Sequence, residues 1–261
     1  MNPLICPVCQ KELKKSDKQY ACENKHTFDI AKEGYTNLLL KASQSSGDSK
    51  EMVNARRHFL EKDYYKQLRD TIINVVKELN PSIVVDAGCG EGYYTNEIAN
   101  NLESNFYAFD MSKNALRYAS KRSEKVGYFL SSIFHLPLQK QSIDIILNIF
   151  APAAIEEFKR VLKENGYIIK VDPGKEHLLE LKELLYDYVY LNEEKKIEEF
   201  NLIRECNVNY TMDLDETDVK NLLHMTPYLH RTPREKIEKL QINDTMQVKA
   251  SFLIRIYQIS K

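Results

Sequence analysis

From Ile83 onward, apolar runs of β type alternate with stretches of helical spacing. The pattern predicts strands at 83–86, 106–110, 126–130, 143–149 and 167–171. Helices are predicted at about 93–102, 113–123 and 154–163, with another starting near Glu176, and Asn165-Gly166 reads as a turn before the fifth strand. Strands alternating with helices in this way imply an α/β fold, a parallel sheet covered by helices on both faces. Two β-rich runs in the tail, NVNYTMDL and MQVKASFLIRIYQI, predict an antiparallel pair at the end of the sheet. Upstream, EMVNARRHFLEKDYYKQLRDTIINVVKEL carries apolar residues at helical spacing. The expected organisation is a module over 1–40, a linker and helical connection over 41–75, and the main domain over 76–261.

The loops at the strand ends carry the chemistry, because ligands of open α/β sheets bind at the carboxyl ends of the strands. In VVDAGCGEGYYT, residues 84–95, a strand ends in Asp86 and breaks into Gly88, Gly90 and Gly92. Alternating glycines allow positive φ and close approach of the backbone to a bulky ligand. About 20 residues later NFYAFDMS ends in Asp110, where such folds place a carboxylate on ribose hydroxyls. A dinucleotide fingerprint is Gly-x-Gly-x-x-Gly facing a pyrophosphate. Here the run is Gly-x-Gly-x-Gly, and Asp86 would repel a pyrophosphate while suiting a ligand with an ammonium group. S-adenosylmethionine, with its sulfonium, ammonium and ribose diol, fits; a tight turn with no ligand is the alternative. Ser131-Ser132, the Asn148–Pro152 loop and Asp172-Pro173-Gly174 fall at the ends of the later strands. Ser132 stands where many methyltransferases contact the adenine amine, or it simply caps its loop. The antiparallel tail pair is also a feature of these methyltransferases.

Cys6-Pro-Val-Cys9, followed by Cys22 and His26, has the spacing of a Cys₃His zinc site built from two knuckles. Four protein ligands leave no open position, so the metal is expected to be structural. A segment this short lacks a core of its own, and structural zinc supplies on the order of 10 kcal/mol. Cys89 and Cys206 are separate, and Cys89 reads as a small filler in the glycine loop. Five cysteines, an odd number with local spacing, fit metal chemistry in a reducing compartment better than a disulfide framework. With 261 residues, 43% of them apolar, the chain can bury a sizeable core. It has no run of 18 apolar residues and no basic-then-apolar leader, so a soluble cytoplasmic protein with no membrane partner is expected. A net charge of −1 does not announce a nucleic-acid binder. Arg56 and Arg57 could reach phosphates or belong to a solvated helix face. KASQSSGDSK, residues 41–50, reads as a mobile linker or a loop ordered by substrate, and NEEKKIEEF, residues 192–200, as solvated surface.

Along essentially its whole length the chain resembles the RlmA family of 23S ribosomal RNA guanine-N1 methyltransferases, which includes macrolide-resistance members. The resemblance rests on the CPxC with its later Cys and His, FDIAKEGYTNLL, GDSKEMVNARRHFL, DAGCGEGYYT, FDMSKNAL, the FAP at 150–152, DPGKEHLLELK, and the MTP at 225–227. It implies a class I, Rossmann-like methyltransferase with a mostly parallel seven-stranded sheet. It also implies a zinc module that helps hold RNA, and a homodimer that receives a ribosomal RNA hairpin. The family's zinc ligands fall on Cys6, Cys9, Cys22 and His26, and its cofactor contacts on Tyr65, Gly90, Glu91 and His177. Two departures stand out: Glu164-Asn165-Gly166 replaces a usual Pro-Gly-Gly, and Asp172 replaces a common Thr. Methylation at N1 requires loss of the N1 proton and extrusion of the base. Asp172 and His177 are the candidate bases, and Phe150 could stack on the extruded ring. A small-molecule methyltransferase and a non-catalytic zinc-bearing RNA-binding factor remain as rival readings.

Overall fold

A computed structural model describes residues 2–40, 48–226, 228–233, 235, 237, 242 and 244–259. Two sheets organise it. The smaller is a meander of β1 (Lys14–Lys15), β2 (Gln19–Ala21) and β3 (Thr27–Asp29). The larger has eight strands and contains β4 (Thr36–Asn37), β5 (Ile83–Ala87), β6 (Asn105–Asp110), β7 (Val126–Leu130), β8 (Ile143–Ile149), β9 (Leu162–Pro173), β10 (Phe200–Leu214) and β11 (Met246–Ile259). Their order across the sheet is β10-β11-β9-β8-β5-β6-β7-β4. Strands β4 to β9 run parallel, and β11 pairs antiparallel with both β9 and β10. The expected seven strands are therefore present, and the N-terminal segment adds an eighth: Thr36 and Asn37 pair with Phe129 and Leu130.

The central strands are apolar on both faces, as a sheet covered on both sides requires; all five residues of β5 are buried. Among the described residues the helices are α1 (Lys50–Glu61), α2 (Lys66–Leu79), α3 (Tyr93–Asn100), α4 (Lys113–Ala119), α5 (Ile155–Val161), α6 (Leu179–Leu185), α7 (Glu216–His224) and α8 (Tyr228–Arg231). The one continuous helical pattern before the sheet divides into α1 and α2, because Asp63 takes a left-handed φ of 61°. Its Oδ1 accepts from Arg69 at 3.0 Å and from the Tyr93 hydroxyl at 3.3 Å, which fixes the corner. Tyr65, two residues on, is turned into the core and is buried.

Two boundaries differ from the sequence expectation. Helix α1 begins at Lys50, inside the expected linker, and the Ser49 hydroxyl accepts from the Met52 amide as its N-cap. Residues 41–47 of the expected linker, and Pro227 of the MTP motif, lie outside the described residues. The Asn165-Gly166 turn is absorbed into β9 as an irregularity. Ile143 pairs with Leu162 but Ile145 with Tyr167, so the extra residues of β9 loop out without ending the strand.

The N-terminal module is not a separate body. Leu4 bridges to Leu138, the Ile5 amide donates to the Pro137 carbonyl at 2.9 Å, and the Tyr20 ring meets Phe129 edge-on at 5.4 Å. Leu4, Leu13 and Tyr20 share one buried cluster with Val85, Phe109 and Phe129 of the main sheet. The expected division at residue 40 thus cuts a continuous core.

Candidate active site and metal centre

A cavity of about 790 Å³ opens at the carboxyl ends of β5 to β9. Its lining unites Tyr65, Asp86, Gly88, Gly90, Glu91, Asp110, Ser132, Phe150, Asp172 and His177, residues spread over more than a hundred positions of sequence. Its size lies within the range of small-molecule and cofactor sites.

The glycine turn forms the floor. Gly88, Gly90 and Gly92 have φ of 97°, 54° and 82°. A Cβ on Gly88 would stand 2.6 Å from the Cβ of Ala151, so only glycine fits between the ends of β5 and β8. Gly92 does not line the cavity; a Cβ there would meet Ala119 at 3.0 Å, so this glycine serves the packing of α3 against α4. The Gly90 amide donates to Asp110 Oδ2 at 2.8 Å and the Ser112 amide to Oδ1 at 2.7 Å. Asp110 therefore shapes the turn as well as facing the cavity, and burial raises its pKa.

Two carboxylates are buried here with an oxygen left over. Asp86 Oδ2 accepts from the Thr95 hydroxyl at 2.5 Å, while Oδ1 has no partner. Burial, with a smaller contribution from the Asp110 charge, pushes Asp86 up to about 7 against the relief given by Thr95. Glu91 Oε2 is held by the Arg122 guanidinium, whose Nε lies at 2.8 Å, and Oε1 has no partner. Burial raises Glu91 despite that cation. A buried unsatisfied carboxylate oxygen costs on the order of 1–3 kcal/mol or more, and both would be relieved by a donor-rich, cationic ligand on the glycine floor. The residues thus fit the ammonium end of S-adenosylmethionine. Ser132 accepts from the Phe134 amide at 3.2 Å and half-exposed Phe134 joins it on the wall, an apolar surface suited to a purine. Cys89 is buried with its thiol pushed up by burial, which leaves it a filler.

Tyr65 and His177 meet elsewhere on the lining. His177 Nδ1 accepts the Ser251 backbone amide at 3.2 Å, so a neutral ring carries its proton on Nε2, which lies 3.4 Å from the Tyr65 hydroxyl. Burial, reinforced by the charge of Lys182, lowers His177 to about 3. His177 is therefore a fixed neutral donor and unsuited to accept a proton at neutral pH, which corrects its candidacy as a base. Asp172, at the end of β9, accepts from Lys170 Nζ at 2.7 Å, and the same ammonium donates to the Ala151 carbonyl at 3.1 Å. Phe150 adopts φ 54°, a strained setting for an aromatic residue. Asn148 holds that loop, donating to the Ala87 and Pro152 carbonyls at 3.1 and 3.0 Å. The Phe150 ring is 43% exposed, 6.4 Å from Tyr65 and 5.7 Å from Phe252.

The two arginines part company. Arg56 lines the cavity and pairs with Asp48. Arg57 does not reach it: the guanidinium pairs with Glu61 at 2.9 Å and lies 4.2 Å over the Tyr118 ring, a contact between α1 and α4. Sequence reasoning missed Thr95, Arg122 and Ser251. Thr95 lies on the first turn of α3 and was within reach of inference; Ser251 acts through its backbone, which no side-chain motif reveals.

At the other end of the chain the ligating atoms of Cys6, Cys9, Cys22 and His26 all lie within 4.8 Å of one another. Cys9 and Cys22 sulfurs are 3.6 Å apart, and His26 Nδ1 is 3.6 and 3.5 Å from the sulfurs of Cys6 and Cys22. With zinc–sulfur bonds of about 2.3 Å, tetrahedral sulfurs stand about 3.8 Å apart, so the four residues fit zinc through the Nδ1 of His26. The Lys11 backbone amide, the largest influence, brings the Cys9 thiol down to about 6.

A family model described as the zinc ribbon of "RlmA, N-terminal" matches residues 4–45, and one described as "Methyltransferase domain" matches residues 80–224. A 23S rRNA (guanine(748)-N(1))-methyltransferase of Streptomyces fradiae is 33% identical over 188 residues, covering 70% of this chain and 67% of its own length. A Bacillus subtilis (strain 168) protein, provisionally named a 23S rRNA (guanine-N(1)-)-methyltransferase, is 29% identical over 255 residues and 90% of both chains. By contrast, a malonyl-[acyl-carrier protein] O-methyltransferase of Hamiltonella defensa, 28% identical, spans 52% of this chain.

Proposed function

Because the chain belongs to the RlmA family of methyltransferases, we infer that it methylates N1 of a guanine in 23S ribosomal RNA, with S-adenosylmethionine as donor. The observation that carries this reading is a single cavity with two kinds of wall. One is the glycine turn with the spare oxygens of Asp86 and Glu91, and the other is formed by Phe150 and Asp172. The first suits an amino-acid ammonium, the second a flat heterocycle.

The bound cofactor supplies a methyl group on a sulfonium, which leaves as a neutral thioether carrying the bond pair. Guanine N1 provides the electron pair of the new N–C bond and loses its proton. Asp172, held by Lys170, is the carboxylate at the acceptor end that can take or relay that proton. Phe150 stacks on the extruded ring, and the Asn148 bonds keep that platform fixed. Tyr65, oriented by His177, packs its ring edge-on at 4.7 Å from Phe252 and offers an aromatic surface to the sulfonium. Much of the rate comes from holding donor and acceptor in line.

A hairpin loop as substrate, a homodimer and a cytoplasmic site of action belong to the same proposal and are supported by the family. Among the described residues no helix is long and apolar enough to cross a membrane. Primer extension on ribosomal RNA from cells with and without this chain tests the reading, because N1 methylation blocks Watson–Crick pairing. A stop that depends on the chain is expected. A stop indifferent to it overturns the reading, and calorimetry with S-adenosylmethionine then separates a small-molecule enzyme from a chain that has no use for the cofactor.

A further inference from the structure

The segment after α6 is apolar yet faces solvent: Tyr188 and Tyr190 are 84% and 86% exposed, and Leu191 is exposed beside them. Exposed large rings in sequence are the kind of surface that a partner covers. Both ends of this short run are tied to the wall of the cavity. At one end the Tyr186 ring packs 6.3 Å from that of Tyr228, a lining residue. At the other, Asn192 Nδ2 donates to the Gly174 carbonyl at 2.8 Å and its backbone amide to the Lys175 carbonyl at 3.0 Å; Asp172 and Pro173 just before them line the cavity. Asn192 Oδ1 is itself held by Lys182 at 2.8 Å. Each exposed tyrosine is two residues from an anchor, so its Cα stands within about 7.6 Å of one, given about 3.8 Å between successive Cα atoms. The rings therefore stand on a short segment fixed at both ends beside the cavity lining.

We propose that Tyr188 and Tyr190 form an aromatic ledge on which the unpaired nucleobases flanking the modified guanine stack. The inference rests on the guanine-N1 reading and deepens it. A guanine seated against Phe150 is joined covalently to a nucleotide on either side, and those neighbours must leave over the rim. Bases pulled out of their own stack lose aromatic contacts, and rings presented at the rim replace them without reading sequence. The charges next to the ledge cancel, with Glu193 and Glu194 followed by Lys195 and Lys196, and Glu193 pairs with Lys195 at 2.7 Å. The ledge therefore contributes through its rings and not through phosphate neutralisation.

The test measures binding of the full chain to a fluorescent RNA hairpin with an unpaired guanine in its loop, using Tyr188→Ala, Tyr190→Ala and the double variant. Each ring removed is expected to weaken binding by about tenfold. S-adenosylmethionine affinity and Tm should stay unchanged, and so should the slope of log affinity against log salt. Tyr→Phe at both positions should restore binding, since the ring and not the hydroxyl stacks. Hairpin affinity of the double alanine variant within twofold of wild type overturns the ledge. So does a change in sedimentation without a change in RNA affinity, which would assign the rings to contact with a second copy of the chain. A wild-type chain that binds the hairpin without methylating it defeats the guanine-N1 reading and leaves the ring comparison readable.

Discussion

The imidazole of His177 stands between the Ser251 amide and the Tyr65 hydroxyl, 3.2 Å from the first and 3.4 Å from the second. With its accepting nitrogen already engaged and its pKa down at about 3, it can hold the Tyr65 side chain but cannot draw a proton from guanine. His177→Ala is expected to raise KM for S-adenosylmethionine about tenfold while leaving the shape of the pH–rate profile intact. Disappearance of an acid limb between pH 6 and 7 in single-turnover assays would mark His177 as a base and refute this assignment. The same depression makes stability pH-dependent. A folded pKa below the unfolded 6.5 means the unfolded chain binds the extra proton, so stability is full above about 6.5 and falls as pH drops toward 3. Urea midpoints should decline across that window, and less steeply in His177→Phe.

Asp86 has the opposite linkage. Its carboxyl is raised to about 7 in the ligand-free chain, so the folded state holds a proton that the unfolded chain has released above its ordinary 3.8. That contribution to stability is present below 3.8 and is lost as pH rises through 7. Binding of an ammonium favours the ionised form, so affinity for S-adenosylmethionine should fall about tenfold per unit as pH drops below 7. Titration calorimetry on Asp86→Asn should show weaker binding at pH 8 and no such dependence; an unchanged pH profile would contradict the ammonium contact.

The glycines of the cofactor turn are unequal. Gly88→Ala drives a methyl to 2.6 Å from Ala151, against backbone already at φ 97°, whereas at Gly90 the nearest neighbour is the flexible Arg56 at 3.7 Å. The first substitution should cost about 2–3 kcal/mol and the second about 1 kcal/mol. Chemical denaturation of the two variants tests the ranking, and equal costs would count against so close an approach of β5 to β8.

Phe150→Ala should leave cofactor affinity intact and slow RNA methylation by about 10- to 100-fold, the effect of one lost stacking surface. Phe150→Gly should lose activity equally yet be more stable than Phe150→Ala by about 1 kcal/mol, because glycine bears the left-handed φ at no steric cost. A Gly variant less stable than the Ala variant would show that the backbone there is not strained.

Cys22→Ser should abolish the one bound zinc per chain expected by metal analysis and lower Tm by on the order of 10 °C. The cost reaches beyond residues 4–40, because Leu13 and Tyr20 share a core with Val85 and Phe129. A variant without metal but with wild-type Tm would overturn that coupling.

Much of the fold was legible because hydrophobic periodicity is a local signal. Strands 126–130 and 143–149 and the closing β10–β11 pair stand where the pattern placed them. The site was legible where a motif concentrates chemistry: the glycine turn, Asp110 and the Cys₃His quartet. What escaped is non-local. The corner at Asp63 depends on Arg69 and Tyr93, the neutrality of His177 on a backbone amide in β11, and the commitment of Arg57 on Tyr118 of another helix. Such roles follow from which elements meet, and a single sequence does not state that.

Thr36 and Asn37 occupy a flank of the large sheet that would otherwise expose the unpaired amides and carbonyls of β7. Bare strand edges recruit other strands. The metal ribbon that positions those two residues thus doubles as a guard against intermolecular sheet extension. Chelated protein should therefore scatter light on incubation before its helical signal is lost, a failure by clumping and not by simple unravelling.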